Sequence, residues 1–502
     1  MKGFFNGAPG TIRTCDLPLR RRLLYPAELR VRNFLNERKN RVQRPICQEK
    51  DGDYGHLSFI NVTFFYMNKQ INFKDMADLK AHLASHVPTL YHSSQTSSVI
   101  PFERLSGKLN ADTVLGNLSG IKGEMAILDN GNLKVSGFVT WKEAKEFCLQ
   151  NKRDIMTSPT EELAGVLSGV ATSATGERSF GFSNLRSQVE KIVYLDFNGH
   201  ECTLYKKKKL NLNFDLKKYH ENFLPFEHFK NAPFPRLQFE TDLMTGFEGQ
   251  LGVIVEVELK TIPEGNVSYL FMTLPRWEEN DGPHLEFFEL VQTLRQKIFA
   301  CEFIDANSIQ YLPVEKRLGE NEDIIFIETR EEYLESVIEY LSKHLKLISP
   351  AQIFEIGASK CREFRVNIPR AIFEANGLAG VTKKGTDVQV RNSDFKKLFA
   401  IYREFTKQNI VYNLFGHFGD AHLHFNFMPS TTEEKDCEEL FLGLYKQVKE
   451  MHGSPFAEHG IGLLKRPFIQ DFYSENEREV FKKLKNQFDP YGQFFNEGFM
   501  SC

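Results

Sequence analysis

Residues 415–429 read Phe-Gly-His-Phe-Gly-Asp-Ala-His-Leu-His-Phe-Asn-Phe-Met-Pro, and the fold turns on how they are read. From His422 onward the pattern alternates. His422, His424 and Asn426 share one face of a strand, while Leu423, Phe425 and Phe427 share the other. The aromatic face suits a core; the imidazole and amide face is not that of an ordinary half-solvated strand. The Gly419-Asp420 turn lets His417 fold back towards it. About thirty residues on, Ala-Glu-His-Gly-Ile-Gly (457–462) adds a carboxylate and another imidazole among small residues. Two histidines and a carboxylate are a common set for a first-row divalent ion. An imidazole beside them can move a proton near neutral pH. Any one of these histidines alone reads as a satisfied core or surface residue; the two clusters together read as a site.

The rest of the composition is ordinary for a soluble protein, except that phenylalanine is abundant. The chain has 502 residues, enough for two or three domains with full cores, and a net charge of −3, which points to neither nucleic acid nor an anionic membrane. No apolar run approaches the roughly twenty residues of a membrane span. Eight scattered cysteines with no Cys-x-x-Cys argue against a disulfide framework, a zinc knuckle or a built-in iron–sulfur cluster. They suit a reducing cytoplasm, with or without peripheral attachment to a membrane. Residues 1–66 differ, with twelve Lys/Arg against six Asp/Glu, a net of +6 that leaves −9 for the remainder. Residues 10–30 resemble the conceptual translation of a reading frame run backwards across a transfer-RNA gene. We therefore expect 1–66 to be a non-native or disordered extension, with the functional chain beginning at Met67.

Periodicity predicts helices at 76–83, 141–150, 283–299 and 330–345, and a further one at 359–373 that Pro369 interrupts. Strands are predicted at 89–91, 192–196, 202–204, 253–257, 267–272, 308–312, 323–326 and 388–390, with a hairpin turn at Asp129-Asn130-Gly131. The lysine run 206–209 reads as a solvated edge. Strands alternating with helices after residue 261 suggest a second α+β domain.

Two segments carry a resemblance. Residues 416–424 are similar to the Gly-His-x-Gly-Asp-Gly-Asn-Leu-His signature of flavin-dependent 2-hydroxyacid dehydrogenases, in the vanillyl-alcohol-oxidase superfamily. Glu458-His459-Gly460-Ile461-Gly462, followed by Lys465, resembles their second signature. Residues 168–176 and 245–257 resemble the family's flavin-proximal segments. The serine-rich 92–98 loop stands where the family has a glycine-rich pyrophosphate loop, and His422 stands where it has asparagine.

The resemblance implies an α+β fold with a two-part FAD-binding domain of the PCMH type at 67–260. An α+β cap with an antiparallel sheet would occupy 261–475, and 476–502 would return to the FAD domain. It implies FAD, contacted by Ser93, Ser94, Gln95, Thr96, Ser97, Ser158, Gly169, Thr172, Ser173, Gly176, Gly181, Glu248, Gly249, Gly252 and Ile254. It implies a divalent metal, zinc, manganese or similar, on His417, His424 and Glu458. His459 would be the base, with Arg365, Lys384 and Asn426 on the substrate. The implied reaction is oxidation of a small D-2-hydroxy acid (lactate, glycolate or 2-hydroxyglutarate class) to the 2-oxo acid, with hydride passing to flavin N5. An external acceptor would take the electrons: a quinone, an electron-transfer flavoprotein or an iron–sulfur protein. The rival readings are a metal-independent flavin oxidase and a catalytically inactive FAD-binding partner subunit.

Overall fold

The computed structural model describes residues 69–501 except 158, 320 and 431. The extension expected over 1–66 and the candidate Ser158 lie outside the described residues. The fold is α+β.

It begins with a small parallel sheet in which Val114–Asn117 lies between Gln70–Asn72 and Thr89–His92. The helix Met76–Leu83 crosses between its strands, started by Asp75, whose side chain accepts from the Asp78 N–H. A five-stranded antiparallel sheet follows, ordered Glu124–Ile127, Leu133–Ser136, Val253–Leu259, Val189–Leu195, Glu201–Tyr205. The helix Trp141–Gln150 packs Trp141, Ala144 and Cys148 inward, and its start is fixed by a Thr140–Glu143 capping box. One core joins Val135, Tyr194, Val257 and Leu259 to Phe481, Leu484 and Phe499 from the end of the chain. There the helix Glu475–Phe488 lies against the sheet side of the molecule. Of the lysine run, Lys207, Lys208 and Lys209 are exposed, but Lys206 is half-buried and donates to the Ser187 carbonyl.

An eight-stranded sheet dominates the second half. Its order is Ile353–Ile356, Val267–Leu274, Asp323–Arg330, Ile298–Ile304, Val411–Gly416, His422–Met428 and Lys384–Gly385, with Val388–Gln389 also on His422–Met428. Every pairing in it is antiparallel. Two sequence expectations fail here. The predicted strand at 308–312 is instead the short helix Ala306–Ile309, capped by Asp305, and the strand is Ile298–Ile304, whose first two residues overlap the end of the helix predicted at 283–299. That strand is buried on both faces, so it shows no alternation to read. The helix expected to break at Pro369 runs unbroken over Ala358–Ala379. Proline removes one N–H there, while Phe364, Ile368 and Ile372 remain packed against Phe271 and Phe326.

A buried charge cluster ties the halves together. Arg178 donates to both oxygens of Glu328, on the strand Asp323–Arg330 of the large sheet, and to Asp154 at 2.7 Å. Arg178 and Glu328 are each 3% exposed, so neither charge has water to fall back on.

Candidate active site

The hairpin of Val411–Gly416 and His422–Met428 builds the site. Leu423, Phe425 and Phe427 enter the core with Tyr402, Phe405 and Tyr445. Each fully buried phenylalanine contributes about 2 kcal/mol, which fixes the register and hence the opposite face. A one-residue slip would carry His424 into that core. The turn needs Ala421 at a positive φ of 51°, and it returns His417 over the strand.

His417 is held at both ring nitrogens. Nδ1 meets Glu302 Oε1 at 2.8 Å and Nε2 meets Glu458 Oε2 at 2.5 Å. Thr175 donates to the same Glu458 oxygen at 2.5 Å. His424 Nδ1 donates to the Thr386 carbonyl at 3.1 Å, which leaves its Nε2 a lone pair. Its ring stacks on His459 with centroids 4.8 Å apart and planes 5° from parallel. Ligand atoms of His417, His424 and Glu458 lie within 4.8 Å of one another. This donor set fits a divalent cation, because both imidazoles use Nδ1 on a second partner and turn Nε2 inward, as metal-bound histidines do.

The protonation states agree. Burial opposes charge on His417, but Glu302 and Glu458 outweigh it and hold the ring up to about 9. A proton therefore sits between His417 and Glu458, where a cation would take its place. Burial resists ionisation of Glu458 as well, yet His417 keeps it well below the usual carboxylate range. Burial pushes His424 and His459 down, so both are neutral at pH 7. His422 donates to Asp387 Oδ1 at 2.9 Å and, driven by burial, falls to about 4. Its Nδ1 is buried and meets no hydrogen-bond partner among the described residues.

The substrate-side candidates divide. Arg365 pairs with Glu177, two residues from Thr175. Asn426 is buried and donates to Asn413 at 2.9 Å within the sheet. Lys384 lies opposite Phe427 and so points to the aromatic face, where it acts on Cys437. Gly385 lies opposite Asn426, so alternation puts Lys383 on the site face, where its charge reaches His459. Lys383 and Lys384 thus lie on opposite faces, with Lys383 on that of His424.

The candidate cofactor residues divide too. The 92–98 loop is tied down by Ser93 Oγ to Ser168 Oγ at 3.0 Å. Among the described residues, the backbone N–H groups of Ser94, Gln95, Thr96, Ser97 and Ser98 find no protein acceptor. Free amides together with hydroxyls are a donor set suited to phosphate oxygens, so the loop fits the FAD pyrophosphate without glycines. Thr172, Ser173 and Glu248 line a cleft of about 160 Å³ with Lys230, Asn231 and Gly460. Gly176 and Gly249 make turns at positive φ. By contrast, a Cβ at Gly169 would meet the Trp141 ring at 3.1 Å, one at Gly181 the Ile298 carbonyl at 2.8 Å, and one at Gly252 the Tyr194 ring at 2.6 Å. Ile254 is in the core. At these four positions other parts of the protein pack closely.

Sequence reading missed Glu302, Thr175, Lys230 and Asp387. A lone glutamate inside the apolar run Ile-Phe-Ala-Cys-Glu-Phe-Ile (298–304) was the available signal for Glu302. The others act through tertiary contacts.

The turn after His459 is pinned from the other half of the chain. Glu248 accepts from the Ile461 N–H at 2.5 Å and the Gly462 N–H at 3.0 Å. Gly460 has φ +77°, and a Cβ there would stand 2.6 Å from Glu248 Oε1.

Comparison with known proteins agrees with this architecture. Residues 286–497 match the family of FAD linked oxidases, C-terminal domain. The chain is 25% identical over 345 residues to a D-2-hydroxyglutarate dehydrogenase of Xanthomonas citri pv. viticola, covering 64% of this chain and 65% of that protein. It is 23% identical over 266 residues to glycolate oxidase subunit GlcD of Bacillus subtilis, covering 50% and 54%. The chain thus spans less than two thirds of the length of either relative. An alkyldihydroxyacetonephosphate synthase structure superposes with a TM-score of 0.58 at 14% identity, covering 85% of this chain and 75% of that one, a likeness of fold. The matched segment contains both signature stretches, 416–424 and 458–465. Among the described residues no helix is long and apolar enough to cross a membrane.

Proposed function

We propose that this relative of the FAD linked oxidases oxidises a small D-2-hydroxy acid to the 2-oxo acid, with metal assistance and a histidine base. The observation that carries the reading is the convergence of His417, His424 and Glu458, with a neutral His459 stacked on His424. When bound, FAD would accept a hydride and a divalent cation would polarise the substrate hydroxyl. The chain's own residues do the rest. His459 is half-exposed at the rim and neutral, so its lone pair is available for the hydroxyl proton. Arg365 and Lys383 supply positive charge for the substrate carboxylate, the arginine by exchanging Glu177 for the substrate. The aromatic packing behind His424 keeps the imidazole pair in place without rearrangement. Electrons then leave to an external acceptor.

The visible spectrum of the purified protein tests this. Flavin bands should be present and should bleach anaerobically on addition of D-lactate, glycolate or D-2-hydroxyglutarate. A protein that binds FAD on reconstitution and is bleached by none of the three would refute the reading.

A further inference from the structure

Asp387 lies wholly buried between the two short strands that run along His422–Met428, and four donors meet its carboxylate. His422 Nε2 reaches Oδ1 at 2.9 Å. Lys465 Nζ at 2.7 Å, the His459 N–H at 2.9 Å and the Glu458 N–H at 3.2 Å reach Oδ2. Asp387, His424 and His459 also form a second group whose ligand atoms lie within 4.8 Å of one another. The two groups share His424, so the geometry offers two positions for one ion.

Hydrogen bonding decides between them. Three donors share Oδ2 and one takes Oδ1, and the His424 nitrogen 4.0 Å from that Oδ1 is Nδ1, which already donates to the Thr386 carbonyl. A cation on Asp387 would share one carboxylate with the Lys465 ammonium, 6% exposed as a residue, and set two positive charges side by side out of reach of water. At Glu458 the cation would enter between Oε2 and His417 Nε2, 2.5 Å apart, and among the described residues share its carboxylate with no ammonium. Two successive N–H groups aimed at one anion form a nest. Consecutive side chains on extended backbone would leave on opposite sides; here the nest and Gly460 bend the chain, and both Glu458 and His459 face His424.

We infer that Asp387 is a positioning residue that aims Glu458 and His459 into the site, and that it is not a metal ligand. The inference rests on the metal-assisted reading above. It is tested on the full-length protein with Zn²⁺ as the probe and with amide hydrogen exchange, neither of which needs turnover. His459→Ala should keep zinc at the wild-type stoichiometry, while Glu458→Ala should lose it. The reverse pattern would put the ion on Asp387 and overturn the inference. Asp387→Asn keeps the shape but turns one acceptor into a donor. It should weaken zinc by about 10–100-fold, as loss of an orienting partner does, and speed exchange of the 458 and 459 amides at least tenfold. The His422–Met428 amides should stay protected. Unchanged affinity and exchange would overturn it. Should that variant fail to fold, the wild type suffices: its 458 and 459 amides should exchange at least ten times more slowly than the 460 amide, and equal rates refute the nest. A wild type that binds no zinc removes the reading and the inference together. A wild type that binds zinc but leaves its flavin oxidised refutes the proposed function alone.

Discussion

Gly460→Ala is the substitution that most directly tests the construction of the site. The backbone there has φ +77°, a region that costs a residue with a Cβ roughly 1–2 kcal/mol. The new methyl would stand 2.6 Å from Glu248 Oε1, which is fixed by the Ile461 and Gly462 amides. Moving that carboxylate forfeits at least one charge-assisted hydrogen bond, about 1.5–3 kcal/mol. Together these give a loss of about 3–5 kcal/mol. Gly443→Ala is the control. It lies exposed within the helix Glu434–Glu450 with nothing within 4 Å of the added methyl, so it should stabilise by up to about 1 kcal/mol. Thermal and denaturant unfolding of the two variants beside wild type give the comparison. If Gly460→Ala unfolds with the wild type, or no earlier than Gly443→Ala, the Glu248 clamp is not what the geometry says it is.

His459→Ala should keep FAD and slow anaerobic flavin reduction by roughly 10²–10⁴, the usual loss for a general base; stopped-flow absorbance measures it. Lys383→Ala should raise KM for the hydroxy acid while Lys384→Ala leaves it unchanged, because Lys384 opens its short strand on the aromatic face and Lys383, the residue before it, alternates to the other; steady-state kinetics separate them. Arg178→Met should cost about 3–5 kcal/mol, since it strands the buried Glu328 and Asp154 carboxylates; a melt that matches wild type would show that water or another cation reaches them.

The residues that were legible in sequence were those whose role shows in local pattern. His424 and Asn426 declared themselves by a period of two, and the helix Trp141–Gln150 by its cap and its buried stripe. The strand Ile298–Ile304 did not, because burial on both faces erases the alternation that separates strand from helix. Gly169, Gly181 and Gly252 were legible as places of close approach, but sequence cannot say whether a cofactor or a tryptophan ring does the approaching. Lys383 and Lys384 are neighbours at the start of a strand of two residues, where one step is the whole difference between faces, and no periodicity marks which face either takes. Asp387 was hidden because its partners lie 35 to 78 residues away.

The Glu248 clamp also bears on inheritance. The turn that carries Glu458 and His459 is held on one side by Asp387, from its own half of the chain, and on the other by Glu248, encoded more than two hundred residues earlier. Recombination with a relative that breaks the chain between them would deliver the ligands and the base intact and still misplace them, unless the incoming sequence also carried a glutamate at 248. Position 248 and residues 458–462 therefore form one hereditary unit, and functional chimeras should preserve the pair whatever else they exchange.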